Sequence, residues 1–142
     1  MRFTPSLLFV AALAVGTAAH AQTAAHAHDA PLPSAWQTGI KRSDLVKKDL
    51  HAPGIEVIQA RVDIDPGVAS PRHSHPGEEV AYVLEGSFEY QLEGRAPIVL
   101  KKGESLFIPA GVPHVARNVG TGVASELATY IVRKGAALVV QE

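Results

Sequence analysis

Hydrophobic and polar side chains alternate with a period of two along residues 57–64, where Ile58, Ala60, Val62 and Ile64 interleave with Val57, Gln59, Arg61 and Asp63. This alternation sends one set to each face of an extended chain and predicts a strand between two environments. Short runs rich in β-branched and aromatic residues recur at 80–84, 88–92, 98–100, 105–108, 114–119 and 126–132. Gly94, Lys102-Gly103, Ala110-Gly111 and the stretch 120–122 punctuate them with turn formers. No long helical period competes, so the spacing predicts an all-β sandwich or barrel. Val80, Tyr82 and Leu84 point opposite to Glu79, Ala81 and Val83, and both sets are largely apolar. One set faces the interior and the other wants cover, which a second copy of the chain would supply; a homodimer is the expected assembly.

The N-terminus has a different pattern. Met1 and Arg2 precede an apolar stretch over 7–19, and Ala19-His20-Ala21 gives the small-x-small sequence that signal peptidase prefers. Residues 1–21 are therefore expected to be a secretory signal, which places the mature protein in the periplasm or outside the cell. The stretch is shorter than the roughly 18 apolar residues of a spanning helix, so no stable membrane anchor is expected after processing. A single arginine near the start argues against twin-arginine export, so folding and metal uptake are expected to follow translocation. Residues 22–50 read as an N-terminal arm. Its first part, rich in Ala, His and Pro, lacks any period a strand or helix could use, and His26 and His28 there are expected to be solvated. The barrel is expected over 51–142 as a single domain.

Composition narrows the functions. The chain has 13 basic and 14 acidic residues, and loss of Arg2 with the leader leaves 12 against 14. That balance does not steer polyanions, and no nucleic-acid partner is expected. Cysteine is absent, so an exported barrel would hold by packing, without disulfides.

The chemistry is concentrated in two glycine-punctuated segments, 67–86 and 103–118. In the first, His73 and His75 lie two apart and would project from one stretch of strand to the same face. Pro76 and Gly77 break the strand and let Glu79 return to that interior. In the second, His114 follows Pro109 and Gly111 and arrives from a distant strand. Imidazole nitrogens with one carboxylate suit a divalent first-row transition metal and not the all-oxygen shells of calcium or magnesium. His73, His75, Glu79 and His114 are the candidate ligands. Iron, manganese, zinc, nickel and copper all accept this set, and spacing does not choose among them. Ala81, Val83 and Ala116 share parity with the ligands and predict small apolar walls. Gln59, Arg61, Tyr90 and Tyr130 sit where a cavity or water would serve equally, whereas Glu78, Arg72 and Arg117 have the parity of surface charges.

Written out, the segments are G-x5-H-x-H-x3-E-x6-G, from Gly67 to Gly86, and G-x5-P-x-G-x2-H-x3-N, from Gly103 to Asn118. They match the two motifs of the cupin superfamily at every fixed position, and the chain is identified as a single-domain member of it. The resemblance implies a double-stranded β-helix or jelly-roll-like barrel of six to eight antiparallel strands, one metal held by the same four residues, and frequent dimerisation.

Three neutral imidazoles and one carboxylate leave a divalent ion near one positive charge. At about 4 Å and an effective dielectric of about 20, that charge attracts an anionic oxygen by roughly 4 kcal/mol before desolvation. A small molecule bearing such an oxygen is thus the expected ligand. The favoured role is a metal-dependent oxidoreductase such as a dioxygenase, since similar cupins use iron or manganese this way. An isomerase, lyase or decarboxylase using the ion as a Lewis acid, and a non-catalytic envelope protein binding a metabolite or the metal, stand as alternatives.

Overall fold

A computed structural model of the protein describes residues 38–142. The expected signal over 1–21, His26 and His28 lie outside the described residues. Ten strands follow in order: β1 (Ile40–Asp49), β2 (Ile55–Ile64), β3 (His73–Ser74), β4 (Glu78–Glu85), β5 (Ser87–Leu92), β6 (Ile98–Lys101), β7 (Ser105–Ile108), β8 (His114–Asn118), β9 (Ala124–Arg133) and β10 (Val140–Gln141). Every named pairing is antiparallel. One five-stranded sheet runs β1-β2-β9-β4-β7 and the other β10-β3-β8-β5-β6, with no helix among the described residues.

The alternation read from the sequence decides what lies between the sheets. Ile58, Ala60, Val62 and Ile64 of β2 are buried, as are Ala81 and Val83 of β4 and Ala128, Tyr130 and Val132 of β9. Phe88, Tyr90, Leu92, Leu100 and Ala116 meet them from the second sheet. Each large side chain removed from water contributes about 1.5–3 kcal/mol, which is how a chain without disulfides closes such a core.

The first sheet reaches back to Ile40, into the stretch read as an arm. β1 pairs with β2 from Ile40↔Ile64 to Asp49↔Glu56, with a bulge between Asp44 and Val46. That extra residue shifts the alternation halfway along the strand, so Ile40 and Arg42 share one face while the later positions in register with Ile58 and Glu56 are the exposed Lys47 and Asp49. An edge strand dressed in charge, with its period broken, has no clean hydrophobic pattern to read. With β1 and the two-residue strands β3 and β10, the strand number exceeds the six to eight that the resemblance implied.

Buried Asn118, which closes the second motif, is a structural tie. Its amide donates to the carbonyls of Ile64 and Gly122, both at 2.8 Å, and its carbonyl accepts from the Gly120 amide. These bonds hold the end of β8 to β2 across the sandwich.

Candidate metal centre and its chamber

The histidines come from two adjacent strands and the loop beside them. β3 pairs with β8 through His73↔His114, and His75 leaves β3 at the bend made by Pro76 and Gly77. Gly77 permits that bend because β9 passes directly against it. A Cβ there would lie 2.1 Å from the Ile131 carbonyl oxygen, and any side chain would push the bend off the sheet. Glu79 then enters β4 opposite Tyr130 of β9 and Ile108 of β7.

All four side chains are buried, between 2% and 6% exposed. One ligating nitrogen from each of His73, His75 and His114 lies within 4.8 Å of the others, a group that could hold a metal ion. Glu79 faces it, with Oε2 3.0 Å from His75 Nε2 and 3.5 Å from His114 Nε2.

Backbone carbonyls orient the rings. The Nδ1 atoms of His73, His75 and His114 lie 2.9, 2.7 and 3.0 Å from the carbonyl oxygens of Pro71, Leu138 and Val112. A carbonyl only accepts, so each Nδ1 carries the hydrogen and donates it, which leaves Nε2 as the basic nitrogen. His75 Nε2 and Glu79 Oε2 have no acceptable hydrogen-bond partner despite their burial. Two inward-facing lone-pair atoms 3.0 Å apart repel unless a proton or cation lies near both. The donor set therefore fits a divalent metal.

Charge within the centre agrees. Burial, reinforced by the neighbouring histidines, lowers the His73 pKa to about 3, so the ring is neutral and ready to ligate. Burial alone would raise Glu79, but His114 and His75 prevail and hold it near 2. His114 titrates higher than an ordinary imidazole: burial lowers it, but the Glu79 carboxylate beside its Nε2 favours the protonated ring more strongly.

Beyond the ligands lies a small chamber. A space of about 30 Å³ is lined by His73, Glu79 and His114 together with Tyr90, Glu126 and Tyr130, against the apolar side chains of Val62, Ile64 and Ala116. Glu126 is 5% exposed and accepts a hydrogen bond from the Tyr90 hydroxyl. Desolvation, helped by the charge on Glu79, raises its pKa to about 8 against the opposing pull of Tyr90 and His114. Both phenols are pushed well above their usual range, first by burial and then by the carboxylates around them, so they remain hydrogen-bond donors.

The sequence-stated ligand candidates thus converge, and Ala81, Val83 and Ala116 are buried on their side as expected. Tyr90 and Tyr130 face the chamber. Gln59 and Arg61 lie on the opposite face of β2, where Gln59 bonds Thr129 and Arg61 bonds Asp63 and Ser125. Arg72, Glu78 and Arg117 are exposed. Glu126 was missed as a site residue. Its one signal was parity with Ala128, Tyr130 and Val132, diluted because Leu127 and Ile131 make the other face of β9 apolar too. The Leu138 carbonyl had no signal at all, since a backbone acceptor carries no side-chain identity.

Known proteins share this fold. The family model described as "Cupin domain" matches residues 60–132. Dimethylsulfoniopropionate lyase DddQ from Ruegeria pomeroyi is 41% identical over 52 residues, 37% of this chain and 26% of that protein. Its crystal structure superposes with a TM-score of 0.58 at 25% identity, covering 70% of this chain and 50% of that one. Germin-like protein subfamily 2 member 2 from Arabidopsis thaliana is 36% identical over 86 residues, 55% of this chain and 39% of the relative. A recombinant oxalate oxidase in complex with glycolate superposes with a TM-score of 0.59 at 26% identity, covering 72% of this chain and 55% of that one. The chain spans well under half the length of these two curated relatives.

Proposed function

Because this chain belongs to the cupin family, we propose that it is a metal-dependent enzyme that moves protons on a small molecule, in the manner of a lyase or isomerase. The observation that carries the reading is Glu126, a buried carboxyl bonded to Tyr90 in the chamber that His73, Glu79 and His114 also line. Burial and the Glu79 charge raise this carboxyl to about 8 in the metal-free chain, so it holds a proton where an ordinary glutamate has lost it, and can pass that proton on.

His73, His75, Glu79 and His114 would hold one divalent transition metal. When bound, the ion supplies Lewis acidity to a substrate oxygen. The protein's own groups do the rest. Tyr90 fixes one oxygen of Glu126 and so aims the other. Val62, Ile64 and Ala116 keep water away from the transfer. A chamber this size admits a group of only a few heavy atoms, so the substrate is small or enters by one end.

A second reading, the oxidoreductase favoured by the motifs, is supported by the likeness to oxalate oxidase. One experiment separates the two. The metal-loaded protein is incubated in deuterated buffer with a panel of small carboxylic and hydroxy acids, while NMR follows deuterium entering carbon and an electrode follows oxygen. Exchange or elimination without oxygen uptake, lost in Glu126→Gln, is the expected result. Oxygen consumption that survives Glu126→Gln would overturn the proton-transfer reading. Export after residue 21 and dimerisation belong to the same proposal. Val80, Tyr82, Phe107 and Ile131 are exposed at outward positions on adjacent strands of the first sheet, and sedimentation of the purified protein reads whether a second copy covers them.

A further inference from the structure

The ligand rings border a second space, which Glu126 does not line. It measures about 20 Å³ and is lined by Ile40, Arg42, Val62, His73, His75, Tyr130 and Val139. Val62, His73 and Tyr130 line both spaces, so the two are neighbours with these shared side chains between them.

The chemistry of this second space differs from that of the first. Its walls are apolar apart from His73, His75, Tyr130 and Arg42, and it contains no carboxylate. Arg42 is drawn inward: its side chain is 15% exposed and its guanidinium carbon lies 5.9 Å from the centre of the Tyr130 ring. Nε donates to Asp44 Oδ1 at 2.8 Å, but the Asp44 side chain is 71% exposed. With its Asp44 half in water the pair is partly screened, and an entering anion can compete for the guanidinium. The planar fork of a guanidinium matches a carboxylate with two parallel hydrogen bonds. Arg42 also precedes the region matched by the family model, on the edge strand β1 whose bulge at Asp44 and Val46 follows it.

We propose that Arg42 selects the substrate by gripping a small carboxylate in this second space, with the rest of the molecule directed past His73, which borders both spaces, towards Glu126. The inference rests on the proposed function for the direction in which the substrate lies. Its binding step stands on Arg42 alone. The recognised class is a short monocarboxylate or dicarboxylate, and a neutral molecule of the same shape is refused because it cannot satisfy the guanidinium.

The test uses the full chain loaded with zinc, with acetate as probe and acetamide as its neutral counterpart, followed by ligand-observed NMR at low salt. Acetate should bind more tightly than acetamide. Arg42→Met should weaken acetate by about tenfold or more, the weight of one charge-assisted contact, with acetamide and zinc content unchanged. Arg42→Lys should recover part of the loss, since charge returns without the fork. Asp44→Asn should tighten acetate by removing the competitor, an outcome that a merely structural Arg42 would not give. Equal binding of acetate and acetamide, or acetate affinity indifferent to Arg42→Met, overturns the inference. Zinc content is read on the same samples and deuterium exchange on the panel of small acids, so acetate bound through Arg42 with no exchange in any acid of the panel sinks the proposed chemistry and leaves the carboxylate site standing.

Discussion

Glu79 and Glu126 are the same residue, both almost wholly buried, on neighbouring antiparallel strands and against one chamber. Their protons behave in opposite ways. Burial pushes both upward, but Glu79 has two imidazoles at hand, which hold it near 2, while Glu126 has a phenol and the negative charge of Glu79, and rises to about 8. One carboxylate is thus a permanent anion suited to a cation, and the other a proton carrier. The difference lies in the partners, and Glu79 helps to set Glu126 by its charge. Two carboxyls pushed apart in this way are how acid and ligand roles become assigned within one cavity.

The largest effect should come from dismantling the anionic side. His75→Ala should lower metal affinity by at least about 100-fold, read as metal content after dialysis against a chelator. The variant should also lose the stabilisation that bound metal gives the native state, about 3 kcal/mol at a hundredfold excess over Kd. Glu126→Gln should keep its metal. Equal metal loss in the two variants would erase the distinction between the carboxylates.

A smaller effect concerns stability against pH in the metal-free protein. The Glu126 pKa rises on folding from 4.5 to about 8, so the native state binds the extra proton and stability falls as pH increases through that window. Glu79 has the opposite sign in a separate window: its stabilisation is present above 4.5 and lost as pH falls towards 2. His73, neutral when folded, gives the opposite slope below 6.5, so thermal melts of the wild type should decline between about pH 6.5 and pH 8 by on the order of 2 kcal/mol, and the decline should shrink in Glu126→Gln. A wild-type profile that climbs across this range, with Glu126→Gln parallel to it, would show that Glu126 is charged when buried.

The smallest effect is expected from Tyr90→Phe. Tyr90's hydrogen bond lowers the Glu126 pKa, so its loss should move the midpoint of the exchange rate upward in pH and cost less than about tenfold in rate. An unmoved midpoint would mean that Tyr90 serves packing alone.

Legibility followed the physical range of each interaction. The strands β2, β4, β5, β7 and β8 were readable because neighbouring positions alternate and turn formers bound them. β1 was not, since its bulge reverses parity between Asp44 and Val46 and its charged residues belong to an edge. The four ligand candidates were readable because two short segments hold them at fixed offsets. Arg42 and Glu126 were not, because they lie on strands outside both segments and reach the ligand rings only through pairing with β2 and β4.

From the chain alone, then, came a two-faced β architecture and the residue types that converge on a cation, since side-chain alternation and turn geometry are local and survive in the order of residues. Tertiary structure alone decided which carboxyl stays charged, which carbonyl steers His75 and which arginine reaches the ligand rings. Those properties depend on desolvation and on distances between strands remote in sequence, and neither quantity is written in any one segment.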